Sequence, residues 1–223
     1  MTTEEAPRPP AIGDTPAMDH LPSRGQGEPA TPRGRATKVR IVAAAAALMH
    51  ERGVAATSVD DVLAAAGVGK GQFYYYFAAK AELVEAVLRH QLGRVLREQG
   101  RFDVATWDGI RGWLDALLAQ HAARGFAGGC PLGSLVAEVA DRDDRLRTVA
   151  AEAFARWEGE LAAGLRALQD RGGLRADADP AALAEEALAS IQGGYLLSTA
   201  KREARPMRGA IGAAFARLRS YAD

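Results

Sequence analysis

The stretch Thr57-Ser58-Val59-Asp60-Asp61-Val62-Leu63-Ala64-Ala65-Ala66-Gly67-Val68-Gly69-Lys70-Gly71-Gln72-Phe73-Tyr74-Tyr75-Tyr76-Phe77-Ala78-Ala79-Lys80 decides the fold. Ser58 with Asp61 three residues on resembles a capping box, although Asp stands where Glu or Gln is preferred, and Val59, Val62, Leu63 and Ala66 then make one apolar helical face. Gly67 ends that helix, since glycine enters the left-handed conformation of a helix terminus without steric cost. After a short turn, a second short helix begins near Gly69, with Phe73 and Phe77 one turn apart and pointing inward. Two short helices about a glycine turn make a helix-turn-helix, whose second helix can enter the major groove of DNA.

Working upstream, Ile41, Ala45, Leu48 and Met49 recur at helical spacing from Thr37, and Gly53 is placed to stop that helix. Residues 1–35 hold seven of the ten prolines and no apolar period, which predicts a disordered arm. Its end, Arg33-Gly34-Arg35, could reach the minor groove or phosphates, or be no more than a tail. Downstream, a helix from about Ala79 to Gln99 carries Val84, Val87, Leu88, Leu92 and Val95 on one side, followed by a helix from Trp107 to about Arg124 and one over Pro131 to Ala140. The longest runs from Asp143 to Gln169 and is stopped by Gly172 and Gly173; Asp179-Pro180 and Pro206 open the last two. The expectation is an all-α chain of about nine helices: an arm (1–35), a helix-turn-helix domain (36–82) and a C-terminal helical domain (83–223).

The chain is neutral overall, with 28 basic and 28 acidic residues, but residues 31–80 hold seven cations against three carboxylates. A basic segment on an acidic body suits one anionic partner at one end, as it equally suits an uneven solvated surface. No apolar run is long enough for a membrane span, and the acidic, proline-rich start does not read as a secretory signal, so a cytoplasmic protein is expected. The single cysteine, Cys130, shows no metal-ligand spacing with any of the four histidines, and neither metal nor cofactor is expected. No nucleophile has a base at a recognisable spacing, there is no phosphate loop, and Glu138 and Asp141 read as helix-surface charges, so no catalytic residue is named.

Residues 37–85 resemble the DNA-binding domain of the TetR family of transcriptional regulators. The resemblance rests on the aliphatic first helix ending in Gly53, the capped second helix, the Ala66-Gly67-Val68 turn and the run Lys70 to Phe77, which matches a recognition-helix pattern of Lys-Gly-x-aromatic-Tyr-Tyr-His-Phe at all but one position. Gly69 replaces a usual Ser, Tyr76 a usual His and Ala79 a usual Ser or Asn. On the residues themselves, Gln72 suits a paired contact with adenine, while Tyr75, Tyr76, Lys70 and Lys80 suit phosphate oxygens. Amides at the starts of the second helix, with Ser58, and of the fourth add phosphate sites; Thr57 and Gly71 complete the set, and Tyr74 reads as packing.

The resemblance implies that the C-terminal domain binds a small-molecule inducer and forms a homodimer through its last two helices, so that the chain is a repressor released from double-stranded operator DNA. Gly193 and Gly194 within a good helix fit a close helix approach. Candidate pocket residues are Trp107, Trp113, Phe126, Cys130, Phe154, Trp157 and Tyr195. Cys130 precedes Pro131 at a helix start, where a dipole lowers a thiol pKa, and Gly-Gly-Cys-Pro-Leu-Gly-Ser-Leu is similar to a segment in a branch of the family with electrophile-responsive members; a reactive sensor and a buried inert thiol are both open readings. The rival functions are a helical enzyme using the C-terminal cavity, a ligand-dependent activator and a ligand-free architectural factor.

Overall fold

The computed structural model describes Pro29 and residues 31–223; the expected arm, at residues 1–28 and 30, lies outside the described residues. Among the described residues there are nine helices and no strand: α1 (Pro32–Arg52), α2 (Val59–Ala66), α3 (Lys70–Tyr76), α4 (Lys80–Gln99), α5 (Trp107–Ala123), α6 (Gly133–Val139), α7 (Asp144–Asp170), α8 (Pro180–Lys201) and α9 (Arg205–Arg219). None is long and apolar enough to cross a membrane.

The first helix starts earlier than the sequence suggests. Thr31 is its cap, with Oγ1 accepting from the Gly34 amide at 3.1 Å, and Pro32 supplies a preset φ at the first helical position. Proline density made this segment read as an arm to residue 35, whereas Arg33 and Arg35 stand on α1. Thr37, expected at the helix start, is buried in its second turn and donates to the Arg33 carbonyl at 3.0 Å.

The chain divides into two units. The N-terminal unit comprises residues up to His90 and Leu135–Ala150; the C-terminal unit comprises Gln91–Ser134 and Ala151–Asp223. This division falls later on α4 than the expected 82/83 boundary and gives the N-terminal unit a segment far away in sequence. Two polar ties account for that segment. Glu138 of α6 bonds the Val54 amide at 2.7 Å, and Arg145 of α7 meets Glu85 of α4 at 2.6 Å.

In the N-terminal unit the buried side chains include Ile41, Ala45 and Met49 of α1, Val62 and Leu63 of α2, Phe73 of α3, and Leu83, Val84, Val87 and Leu88 of α4, together with Phe77. Most are positions expected from the 3.6-residue period; Leu48, Val59 and Ala66 of the expected faces are only partly buried, and Leu83 joins the core beside Val84. In the C-terminal unit α8 and α9 form the main helix pair. Ser198 Oγ of α8 accepts from the Met207 amide at the start of α9 at 2.9 Å, and Glu186 of α8 meets Arg217 of α9 at 2.8 Å. Gly194 makes this pairing possible: a Cβ there would lie 2.7 Å from Ala210 Cβ and 3.3 Å from Met207 Cα. Gly193 faces open space.

Candidate nucleic-acid interface

The turn that carries α2 and α3 is built by local chemistry. Ser58 Oγ accepts from the Asp61 amide at 3.1 Å, and the Ser58 amide donates back to Asp61 Oδ2 at 2.9 Å, a complete capping box. Gly67 closes α2 at φ +63°, and Gly69 caps α3 with extended backbone and no side-chain bond. Helix α3 then buries Phe73 completely, with its ring centroid 5.2 Å from Tyr74 and 5.5 Å from Phe77, and leaves Gln72 and Tyr75 exposed.

Tyr74 corrects the reading as a packing residue. Its ring edges onto Phe73, but the side chain is 51% exposed, against 52% for Tyr75. Seven residues of helix cannot bury three consecutive tyrosines on a face already filled by Phe73 and Phe77, so Tyr74 joins Tyr75 outside while Tyr76 is half-buried. Gly71 has nothing within 4 Å of a would-be Cβ, so the first turn of α3 presents bare backbone to whatever approaches. Lys70 pairs with Asp60 at 3.2 Å, but both side chains are 69% exposed. Such a pair is worth at most about 1 kcal/mol, and phosphate can displace it.

Beside α3 lies a groove of about 300 Å³, lined by Pro29, Thr31, Arg33, Gly34 and Thr37 of the α1 end and by Gln72, Tyr75 and Tyr76. The start of α1 therefore flanks the exposed side of α3. Arg33, expected on a flexible arm able to reach the minor groove or phosphates, stands beside α3 on a helix instead, fixed there by the Thr31-Pro32 cap pair.

Three of the residues expected to contact phosphate are occupied within the chain. Thr57 is 1% exposed and donates to the Gly53 carbonyl at 2.8 Å, which withdraws its side chain from the interface. Ser58 Oγ donates its proton to Asp61 Oδ2 at 2.6 Å, and the acidic partner sits where a phosphate was expected. Lys80 Nζ donates to the Val54 carbonyl at 2.6 Å; burial lowers its pKa, partly offset by Glu138 and Asp61. At the start of the fourth helix, the Ala78 amide is taken by Glu82 at 2.8 Å.

Glu138 and Lys80 together hold both polar groups of Val54, the residue that leads from α1 into the turn before α2. Glu138 was read as a surface charge; it is a clamp, and Gly53 at φ +90° is glycine where a Cβ would stand 3.0 Å from its carboxylate. Glu138→Ala leaves the Val54 amide without its acceptor and should cost about 1–3 kcal/mol in denaturant unfolding, whereas Glu138→Gln keeps an acceptor and should recover most of it.

The capping box gives a pH-dependent prediction. The two bonds from Ser58 hold the Asp61 carboxyl below the ordinary carboxylate range. A depressed folded pKa contributes stability that is present above about pH 4 and lost as pH falls through the lowered value. Ser58→Ala should cost about 1 kcal/mol at neutral pH, and its deficit in thermal unfolding should shrink on acidification below about pH 4.

The C-terminal unit holds a second candidate site. A small cavity of about 50 Å³ is lined by Arg94, Val95, Glu98, Leu117, Gln120, Arg124, Cys130, Pro131, Trp157 and Tyr195. Of the seven expected pocket residues it brings together Cys130, Trp157 and Tyr195. The other four lie elsewhere. Trp113 is core at 2% exposure, Trp107 edges onto Phe215 beneath Arg219, Phe154 stacks beside Trp157 at 6.2 Å, and Phe126, at φ +57°, sits against His121. The polar wall residues Arg94, Arg124 and Gln120 were not anticipated, because helical spacing alone does not say which surface charges turn over a void.

Cys130 is 3% exposed, and burial pushes its thiol pKa up, against weaker opposing bonds that include one from Gln192 Nε2 at 3.6 Å. The expected dipole effect is not available, since α6 begins three residues later, at Gly133, and has only seven residues. The thiol is protonated, which favours the inert reading over the reactive sensor. Burial likewise raises the Tyr195 pKa, so its hydroxyl keeps its proton.

Residues 41–87 match the family described as bacterial regulatory proteins, tetR family, and residues 107–214 match the tetracyclin repressor-like, C-terminal domain. The chain is 32% identical to the transcriptional regulator AcuR of Cereibacter sphaeroides, over 88% of this chain and 90% of the relative. It is 34% identical to an uncharacterized HTH-type transcriptional regulator in the lacX 3' region of Lactococcus lactis, over 73% of this chain and 83% of the relative. The crystal structure of a regulatory protein TetR from Rhodobacter sphaeroides superposes with a TM-score of 0.71 at 26% identity, covering 82% of this chain and 98% of that one.

Proposed function

The chain belongs to the TetR family of bacterial transcriptional regulators, and from that premise we propose that it is a homodimeric repressor that leaves its operator when a small molecule enters the C-terminal unit. One observation carries the reading: α3 is anchored by fully buried Phe73 while Gln72 and Tyr75 stand outside it, the division of labour of a recognition helix. The contact set is Gln72 for a base edge, with Lys70, Tyr75, Tyr76 and Arg33 for phosphates and Gly71 allowing close approach.

Dimerisation follows from the task. Two recognition helices must reach half-sites about 34–36 Å apart, which one chain with one such helix cannot do. The α8 face supports it: Leu196 is 70% exposed and Leu197 51%, beside the open Gly193. Apolar side chains on a well-formed helix suit a self-complementary surface. Release then follows by linkage, the ligand favouring a dimer whose recognition helices no longer match both half-sites. Helix α4 contributes residues to both units, as do α6 and α7, so several covalent routes exist for coupling.

Sedimentation of the free protein and of its complex with DNA from upstream of its own gene tests this. The expected species are a dimer and a complex holding dimers only. A monomer that binds one half-site with full affinity would overturn the dimer reading, and transcription that rises with bound protein would replace repressor by activator.

A further inference from the structure

Two guanidinium groups face the small cavity of the C-terminal unit, and neither meets a carboxylate. Arg124 donates through Nη2 to the Gly129 carbonyl at 3.3 Å and bonds the Tyr195 hydroxyl, while its Nε is buried with no partner. Arg94 donates to Gln91 Oε1, a neutral acceptor, at 3.3 Å. The carboxylate on the wall, Glu98, is bonded by Arg101 at 2.9 Å and by Gln120 at 3.5 Å, so its charge is directed to a third arginine and an amide. A buried N–H without an acceptor is costly, and an anion that fills it recovers that cost.

The rest of the wall is apolar, with Val95, Leu117 and the Trp157 ring. Trp157 is fixed there by its Nε1 donating to Gln99 Oε1 at 2.7 Å, which leaves a ring face and no polar hydrogen for a ligand. On the proposed reading of this unit as the sensor, we infer that its ligand is a small organic carboxylate, with the anionic head on Arg124 and Arg94 and a short hydrocarbon body against Leu117 and Trp157. One water needs about 10–15 Å³ of cavity space, so about 50 Å³ takes roughly three to five heavy atoms, an acid of about two or three carbons unless the wall gives way. An inorganic anion would satisfy the arginines and leave the apolar wall unused.

The test uses the full-length protein and follows tryptophan fluorescence and heat on titration with acetate, propionate and butyrate, with propionamide as the uncharged match and sulfate as the inorganic anion. The expected result is saturable binding of at least one of the carboxylates, with propionamide and sulfate at least about tenfold weaker, and the same loss for that acid in Arg124→Gln but not in the exposed control Arg166→Gln. The acid and amide comparison on the wild type stands even where a variant fails to fold. No saturable binding of any of the three acids at millimolar concentration, or equal binding of acid and amide or of acid and sulfate, would overturn it. Selective DNA binding is measured on the same preparation. If that persists while every acid is ignored, the ligand class alone falls; if it is absent too, the sensor reading falls with it.

Discussion

Replacing Phe73 by alanine should unfold the helix-turn-helix and abolish selective DNA binding. The side chain is fully buried, and its ring meets Tyr74 and Phe77 within 5.5 Å, so α3 is held by this one anchor and the residue that ends it. Truncating a buried phenylalanine costs about 3–5 kcal/mol, a large share of the roughly 5–15 kcal/mol available to a whole domain. Helix α3 has only seven residues and cannot persist alone, so the loss is cooperative. Denaturant unfolding checks the stability, and DNA titration checks the consequence. Phe73→Leu should keep most of both. Tyr75→Ala is the contrasting variant, with unchanged stability and weakened DNA binding, because its side chain already stands half in water. If Tyr75→Ala instead unfolds the chain, the assignment of inner and outer faces of α3 is wrong.

Gly194→Val should separate α8 from α9. The new Cβ would fall 2.7 Å from Ala210 Cβ and 2.9 Å from Met207 Sδ, and two methyls beyond it have nowhere to go. Overpacking of this kind costs about 1–3 kcal/mol, and the position is at the upper end because Met207 backbone also lies close. The expected result is a lower thermal midpoint and, on the proposed dimer, association that weakens with the same substitution. Gly193→Ala separates the two effects. With nothing near its Cβ within the chain, it should gain up to about 1 kcal/mol in helix propensity, and any fall in association must come from a second copy.

The helix ends were legible because their chemistry is local. Ser58 with Asp61, Gly67 and Asp179-Pro180 each satisfy or terminate backbone groups within four residues, and the structure places each as its sequence suggests. Phe73 and Phe77 were legible as core for the same reason, a spacing of one turn. The misreadings share the opposite property. Glu138 finds Val54 from 84 positions away, and Lys80 finds the same residue from 26 away, so neither bond leaves a trace in periodicity. Thr57 and Ser58 looked alike as phosphate ligands until the Gly53 carbonyl and Asp61 occupied their hydroxyls. Among the aromatic candidates, Trp113 and Trp157 are equally buried, yet only Trp157 borders the cavity. Burial follows from a stripe on one helix, whereas a void depends on where several helices fail to meet.

Recognition of DNA by α3 is tested by an anisotropy titration of the full-length protein against DNA from upstream of its own gene and against a scrambled duplex, at one stated salt concentration, with Gln72→Ala alongside. The expected result is tight binding selective for the native sequence, weakened about ten- to hundredfold and made less selective by Gln72→Ala, with no loss of thermal stability. Equal affinity for the native and scrambled duplexes, or a Gln72→Ala protein indistinguishable from wild type, would contradict it.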